Sequence, residues 1–335
     1  MNNTNRIEYI DILRGFAIFL VVLGHVLEKS GLADSTLFYL IYSFHMPLFI
    51  CISAYVSAYV YHNKLFISGV DGSMGGGKFI LRKFNAIMVP YLLWSLVVCP
   101  FFFNSYYQKI EYGRILDRTF LSNTSYWFLP CLFGLLVCYA VYKYIREQFK
   151  VRHILTELGI VLAIFMTVAA LYKLSGFDFL RSVLSYYIPF WIGIFMGQYK
   201  RFESIITDNK AVFGVCLLIF CLAEGLFVGR MDVTIGKSCR LLCGLVALPV
   251  LFNIFKNMKL PTSLSSFAVI VGQSTLGIYL IHSLFLREMI VVGKMNFLYS
   301  SVIFSIVSFF LILLSLAIIY ILNINPLARK VLLGK

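Results

Sequence analysis

About ten long apolar runs restrict the fold of this 335-residue chain more than any other feature of its sequence. They fall approximately at residues 9–28, 37–61, 84–104, 126–145, 154–172, 180–199, 211–229, 239–255, 264–286 and 296–323. About 20 apolar residues in a helix cross a hydrocarbon core about 30 Å thick. Because the runs are continuous rather than alternating, and helices satisfy their own backbone groups in lipid, a helical bundle is favoured over a barrel. We therefore predict an all-α, polytopic membrane bundle of about ten transmembrane helices, forming a single domain over residues 1–335.

The composition indicates that lipid, rather than water, is the main solvent of this chain. Hydrophobic residues make up 60% of the sequence, and the mean hydropathy is +0.87, well above the value of a soluble domain. The net charge of +14 would suit nucleic acid, but the Lys and Arg residues lie in short segments between apolar runs. We therefore expect contacts with anionic membrane lipid and no nucleic-acid partner.

The distribution of Lys and Arg also predicts an orientation. With the N-terminus inside, more than half of the 29 Lys and Arg residues fall on the cytoplasmic side, in agreement with the positive-inside rule. Both termini are therefore predicted to be cytoplasmic, in a multi-pass protein of the inner (plasma) membrane.

The cysteines and histidines do not form a recognisable metal-binding pattern. The eight cysteines lie within or at the edge of apolar runs, which is typical of small buried hydrophobic residues. No CxxC, HxxxH or HExxH spacing occurs in the sequence. We therefore expect no metal site and no bound cofactor.

Asp11, Arg14 and His25 are ionisable residues inside the first apolar run, where lipid would tolerate few. Arg14 and His25 are eleven residues apart, about three helical turns, so they share one face about 16 Å apart along the axis. Asp11 precedes Arg14 by three residues, close enough to pair with its guanidinium. One cavity would then hold both Arg14 and His25. The alternative is an Arg and a His that reach the two opposite membrane interfaces.

Two further histidines lie in apolar segments. His45 belongs to the segment FHMPLF, in which Pro47 lacks the N–H that would bond the carbonyl of Ser43. This kinked, polar segment is predicted to bring His45 to the depth of His25. His282, in STLGIYLIH, is predicted to reach the same level, either as part of the site or as a hydrogen-bonded packing residue.

Five segments together resemble the membrane acyltransferase-3 family: YIDILRGFAIFLVVLGH, FHMPLF, VPYLLW, YWFLP and STLGIYLIH. Within that family the chain is most similar to stand-alone sugar or polysaccharide O-acetyltransferases of the fucose 4-O-acetylase-like type. The family signature of an Arg and a His separated by ten residues corresponds here to Arg14 and His25. The resemblance implies an acyltransferase that moves an acyl group, usually acetyl, from acyl-coenzyme A to a hydroxyl of a cell-envelope or exported glycan.

Two positions depart from the family pattern. Many members carry a second Arg at the start of the third helix, whereas here Arg82 and Lys83 are followed by FNA, and Lys78 is predicted to substitute. Ala54 stands where many members have Gly, for which we expect only a packing adjustment. Some relatives complete the transfer with a C-terminal hydrolase-like domain, so this chain is expected to finish it alone or with a separate glycan-assembly protein.

The chemistry of acyl transfer suggests a role for each of these side chains. An imidazole with an ordinary pKa of about 6.5 can take a hydroxyl proton near neutral pH, so His25 is predicted to be the general base. Arg14 stays protonated, and it is predicted to bind the donor or to stabilise negative charge. His45 is predicted to assist His25, with Asp11 and His282 in supporting positions.

Two regions outside the first helix complete the predicted site. The cluster Lys78, Arg82 and Lys83 is predicted to dock the phosphates of acyl-coenzyme A, and acetyl-coenzyme A is the expected donor. Trp127, at the start of the fourth helix, is either an interface anchor or a stacking surface for the acceptor sugar. The main alternative function is a transporter or flippase of a polysaccharide or lipid-linked sugar, although the two halves of the sequence show no internal repeat.

Overall fold

A computed structural model describes residues 7–66, 74–98, 126–227, 234–286 and 297–335. Six helices in these ranges are long and apolar enough to cross a membrane, and up to nine spans result if each of three bent helix pairs counts as one. The remaining apolar run, at 84–104, continues beyond the described residues. The prediction of an all-α, polytopic membrane protein is therefore confirmed, whereas the orientation of the termini stays a prediction.

The helices are labelled here in chain order. They are α1 (Glu8–Lys29), α2 (Thr36–Tyr61), α3 (Gly76–Lys83), α4 (Val89–Leu93), α5 (Phe128–Gln148), α6 (Ile154–Ser175), α7 (Asp178–Ser185), α8 (Tyr187–Gln198), α9 (Lys200–Thr207), α10 (Lys210–Phe227), α11 (Thr234–Asn257), α12 (Thr262–Gln273), α13 (Thr275–Phe285), α14 (Phe297–Ile324) and α15 (Pro326–Leu333). Two π-helical segments, Phe84–Met88 and Trp94–Val98, flank α4.

Two of the runs that were expected to form single helices, at 180–199 and 264–286, are bent pairs: α7 with α8, and α12 with α13. The run at 211–229 corresponds to α10, which forms a third bent pair with the preceding short helix α9. The sharpest bend is 79°, between α12 and α13. There the backbone N–H of Ser274 donates to the carbonyl oxygens of Ile270 and Val271 and closes the last turn of α12. The backbone of Ser274 then leaves the helical conformation (φ −102°, ψ 7°), and α13 begins at Thr275. The run contains no proline at this point, so its apolar composition did not predict the break.

The chain divides into two compact units. The first comprises Met1–Tyr55 and Ile192–Ile321, and the second comprises Val56–Trp191 and Leu322–Lys335. The predicted catalytic and supporting residues all lie in the first unit, and the predicted donor cluster and Trp127 lie in the second. The single domain over residues 1–335 stays a prediction.

In the first unit, α1 and α12 approach closely through glycines. A Cβ on Gly15 would lie 2.6 Å from the carbonyl oxygen of Ala268, and a Cβ on Gly272 would press directly on the carbonyl oxygen of Asp11. Small residues allow such close backbone contact where helices pack in an apolar medium. Because the two contacts occur in opposite order along the helices, α12 runs antiparallel to α1. This contact places the end of α12 beside Asp11.

Gly272→Ala is expected to lower the stability of the protein, because an added Cβ must push α12 away from the backbone of Asp11. Overpacking of this kind costs about 1–3 kcal/mol. Gly159→Ala on α6 is the matched control, since nothing lies within 4 Å of a Cβ at that position. Thermal unfolding of both variants in detergent, followed by circular dichroism, checks the prediction. Equal midpoints for the two variants would contradict it.

In the second unit, buried charges join α5 to α6. Lys143 and Glu157 are both fully buried (0% exposed). Glu157 accepts hydrogen bonds from Arg146 Nε at 2.7 Å and from the Tyr142 hydroxyl at 2.8 Å. Lys143 donates to the backbone carbonyl of His62 at 2.9 Å. Buried charges are tolerated when they are paired in this way, so these basic residues stabilise the packing of the second unit.

Candidate active site

Arg14 lies on α1 and contacts both sides of the break between α12 and α13. Its Nη2 donates to the hydroxyl of Thr275 at 3.1 Å, and its Nη1 lies 3.5 Å from Asp11 Oδ1. Asp11 is buried and also accepts a hydrogen bond from the side chain of Gln273 at 3.3 Å. The Arg14 side chain nevertheless remains 29% exposed. Its guanidinium is therefore held in a defined orientation while its charge stays accessible to a ligand.

His25 lies farther along α1 and is hydrogen-bonded to His282 on α13. The Nδ1 atom of His25 is 2.9 Å from Nε2 of His282. The two ring planes differ by only 4° and the ring centroids are 5.2 Å apart, so the imidazoles meet edge to edge in nearly one plane. His282 is 1% exposed, whereas His25 is only partly buried. Of the two rings, His25 is thus the one that a substrate can reach.

The two contacts between α1 and α13 share one helix face. Arg14 and His25 are about 16 Å apart along α1, whereas Thr275 and His282, seven residues apart, are about 10 Å apart along α13. The long side chain of Arg14 compensates for the shorter spacing along α13. Because the contacts occur in the same order along both helices, α13 advances along α1 from Arg14 towards His25, after the 79° bend has turned it away from the axis of α12. The bend at Ser274 therefore places α13 against both Arg14 and His25 of α1.

His45 is buried on α2, at 2% exposure. Its Nδ1 lies 2.7 Å from the carbonyl oxygen of Ile41, and its ring packs 4.7 Å from the ring of Tyr42. The backbone carbonyl of Tyr42 accepts a hydrogen bond from Arg240 Nε at 3.0 Å. The structure thus pairs His25 with His282, and His45 bonds to its own helix beside a second arginine. The assisting role of His45 stays a prediction.

The predicted donor cluster in the second unit divides into exposed and packed cations. Lys78 and Arg82 are exposed and lie four residues apart, on one face of α3. Lys83 is less exposed and sits 4.7 Å from the ring centroid of Tyr61 and 5.6 Å from that of Phe79. Lys83 therefore contributes to aromatic packing. Lys78 and Arg82 present the more accessible charges, and the Arg82 guanidinium also lies 5.9 Å from the ring centroid of Tyr61. Phosphate docking by all three residues stays a prediction.

Trp127 precedes α5 and stacks on Tyr186. The ring centroids are 5.3 Å apart and the planes differ by 24°. One aromatic face of Trp127 is thus covered by the protein itself. Contact between Trp127 and an acceptor sugar stays a prediction.

Sequence reasoning missed three polar partners in this site: Thr275, Gln273 and Arg240. Thr275 had a detectable signal, because it precedes His282 by seven residues and therefore shares a helix face with it. Gln273 and Arg240 had none, since their contacts depend on how distant helices pack. Across the described ranges, no three His, Cys, Asp or Glu side chains converge in a way that could hold a metal ion. The absence of a metal cofactor stays a prediction.

Comparison with known proteins places the chain in a family. Residues 7–324 match a family model described as an acyltransferase domain, Acyl_transf_3. The chain is similar to nodulation protein NolL of Mesorhizobium japonicum, with 29% identity over 143 residues, which cover 38% of this chain and only 34% of that relative. It is also similar to nodulation protein NolL of Sinorhizobium fredii, with 24% identity over 316 residues, which cover 84% of this chain and 79% of the relative. No solved structure matches the chain. Because the family model spans nearly the whole chain, including α1 and the α12–α13 pair, the protein belongs to the acyltransferase-3 family.

Proposed function

We propose that this protein is an O-acyltransferase of the inner membrane that moves an acyl group, most often acetyl, from acyl-coenzyme A to a hydroxyl of a cell-envelope or exported glycan. Family membership supports acyl transfer, and the apolar helices support a membrane location. The observation that carries the proposal is the partly accessible His25, held by His282 on the same helix face as the accessible charge of Arg14.

His25 acts as the general base in the proposed reaction. It takes the proton of the acceptor hydroxyl while the hydroxyl oxygen attacks the thioester carbonyl. The new C–O bond forms, the C–S bond breaks, and the leaving thiolate of coenzyme A recovers the proton from the His25 imidazolium. The products are an O-acyl ester and free coenzyme A. His45 assists His25 in this step. It packs against Tyr42, whose backbone carbonyl accepts a hydrogen bond from Arg240.

Arg14 binds the donor in this proposal. Arg14 and His25 are about 16 Å apart along α1, so we assign the guanidinium to the donor rather than to charge at the reacting carbon. A guanidinium suits phosphate oxygens because it presents a planar fork of donors. Arg14 therefore binds a phosphate of acyl-coenzyme A, and the exposed Lys78 and Arg82 offer a further phosphate-binding surface.

The test is acyl transfer by the purified protein in proteoliposomes. Radiolabelled acetyl-coenzyme A is supplied together with glycan and glycan-assembly proteins from the native membrane. The expected result is alkali-labile acetyl on the glycan, absent when the protein carries His25→Ala. Glycan that remains unlabelled, in cells whose glycan export depends on the protein, would instead support a transporter or flippase.

A further inference from the structure

The side chains of His25 and His282 form a hydrogen-bond chain that ends on a backbone carbonyl. Nδ1 of His282 lies 2.8 Å from the carbonyl oxygen of Ile278, one turn earlier on α13. Nε2 of the same ring lies 2.9 Å from Nδ1 of His25. Both nitrogens of His282 are therefore occupied by protein partners, and the ring is 1% exposed.

The direction of this chain follows from what each atom can donate or accept. A carbonyl oxygen only accepts, so Nδ1 of His282 must carry a proton. A neutral imidazole has one N–H, so Nε2 of His282 is an acceptor, and Nδ1 of His25 must donate to it. The remaining nitrogen of His25, Nε2, then holds a free lone pair.

The other tautomer of His282, with its proton on Nε2, would be unfavourable at this position. If Nε2 of His282 carried its proton, the lone pair of Nδ1 would face the carbonyl oxygen of Ile278 across 2.8 Å. Nδ1 would then be a buried acceptor without a donor, and an unmade hydrogen bond of this kind costs about 1–3 kcal/mol. The backbone of α13 therefore selects one tautomer of His282, and through it one tautomer of His25.

We propose that His282 is a positioning residue that holds His25 in its Nδ1–H tautomer, so that Nε2 of His25 is the atom that accepts the acceptor hydroxyl proton. This inference rests on the proposed role of His25 as the base. When the proton reaches Nε2, His25 becomes an imidazolium whose Nδ1–H still donates to His282. The edge-to-edge geometry, with 4° between the ring planes, then stabilises that cation by a charge-assisted hydrogen bond.

Kinetics of three variants test this inference. His282→Leu removes the acceptor, and kcat is expected to fall about 10–100-fold, the range typical of hydrogen-bond partners that orient metal-binding histidines, while the KM for acyl-coenzyme A stays unchanged. His282→Gln restores an acceptor oxygen near the same position, so most of the lost kcat should return. Ile281→Ala is the packing control: it is fully buried on the same helix, and its kcat should match the wild type.

The tautomer itself provides a readout that a purely structural role would not change. The protein has five histidines, so ¹⁵N-histidine solid-state NMR in bilayers can resolve His25, assigned by its absence in His25→Ala. The expected signal is an Nδ1–H imidazole that is lost or mixed with the other tautomer in His282→Leu. An Nε2–H signal for His25 in the wild type, or equal kcat for His282→Leu and Ile281→Ala, would overturn the inference. A correct tautomer in a protein without transferase activity would overturn only the proposed function.

Discussion

Replacement of His25 by alanine is expected to lower kcat for acyl transfer by about 10²–10⁴-fold, the usual contribution of a positioned general base. The physical reason is the loss of the base itself. Within the described residues, His25 is the only imidazole that is hydrogen-bonded to His282 and also partly accessible. The KM for acyl-coenzyme A should change little, because the residues expected to bind the donor lie elsewhere. The measurement is initial rates in proteoliposomes at saturating donor and acceptor.

His153→Ala is the matched control for this variant. His153 is exposed at the start of α6, in the second unit, and belongs to no part of the site. Its kcat should equal that of the wild type. A purified, folded His25→Ala protein with normal turnover at saturating donor would remove His25 from the role of base.

Replacement of Arg14 by alanine is expected to raise the KM for acyl-coenzyme A by about 10–100-fold, with a smaller effect on kcat. Hydrogen bonds to charged groups contribute about 1.5–3 kcal/mol, and each 1.4 kcal/mol corresponds to about a tenfold change in affinity. Arg14→Lys should recover only part of the affinity, because a single ammonium cannot reproduce the planar fork that contacts both Asp11 and Thr275.

A donor without phosphates separates this role from a general loss of structure. With S-acetyl-pantetheine as the donor, wild type and Arg14→Ala should show equal KM values. Arg152→Ala serves as a charge control, since Arg152 is exposed in the second unit. An equal defect of Arg14→Ala with both donors would show that Arg14 does not act through the phosphates of the donor.

The membrane architecture was predictable because lipid imposes a strict requirement on local sequence. A span must be apolar over its full length and must satisfy its own backbone groups. The runs at 9–28 and 37–61 therefore correspond closely to α1 and α2. The break at Ser274 was not predictable in this way, because the segments on both sides of it are apolar and neither contains proline.

The pairing of Arg14 with Asp11 was equally accessible to sequence reasoning, because three residues along a helix place two side chains side by side. The resemblance to the acyltransferase-3 family also followed from short local segments, and the family match confirms it. In contrast, the surroundings of Lys83 and Trp127 depend on distant aromatic rings, Tyr61 and Tyr186. Sequence reasoning therefore could not show that Lys83 and Trp127 pack against other aromatic side chains of the protein.

By itself, the sequence determined that this protein crosses the membrane as a helical bundle and that Arg14 and His25 share a face of the first helix, because helical periodicity sets both. Only the tertiary structure decided which histidine meets His25. The partner is His282, 257 residues away in the chain, rather than His45 on the neighbouring helix. That choice depends on the glycine contacts between α1 and α12 and on the bend that follows them, because together they set the position of α13.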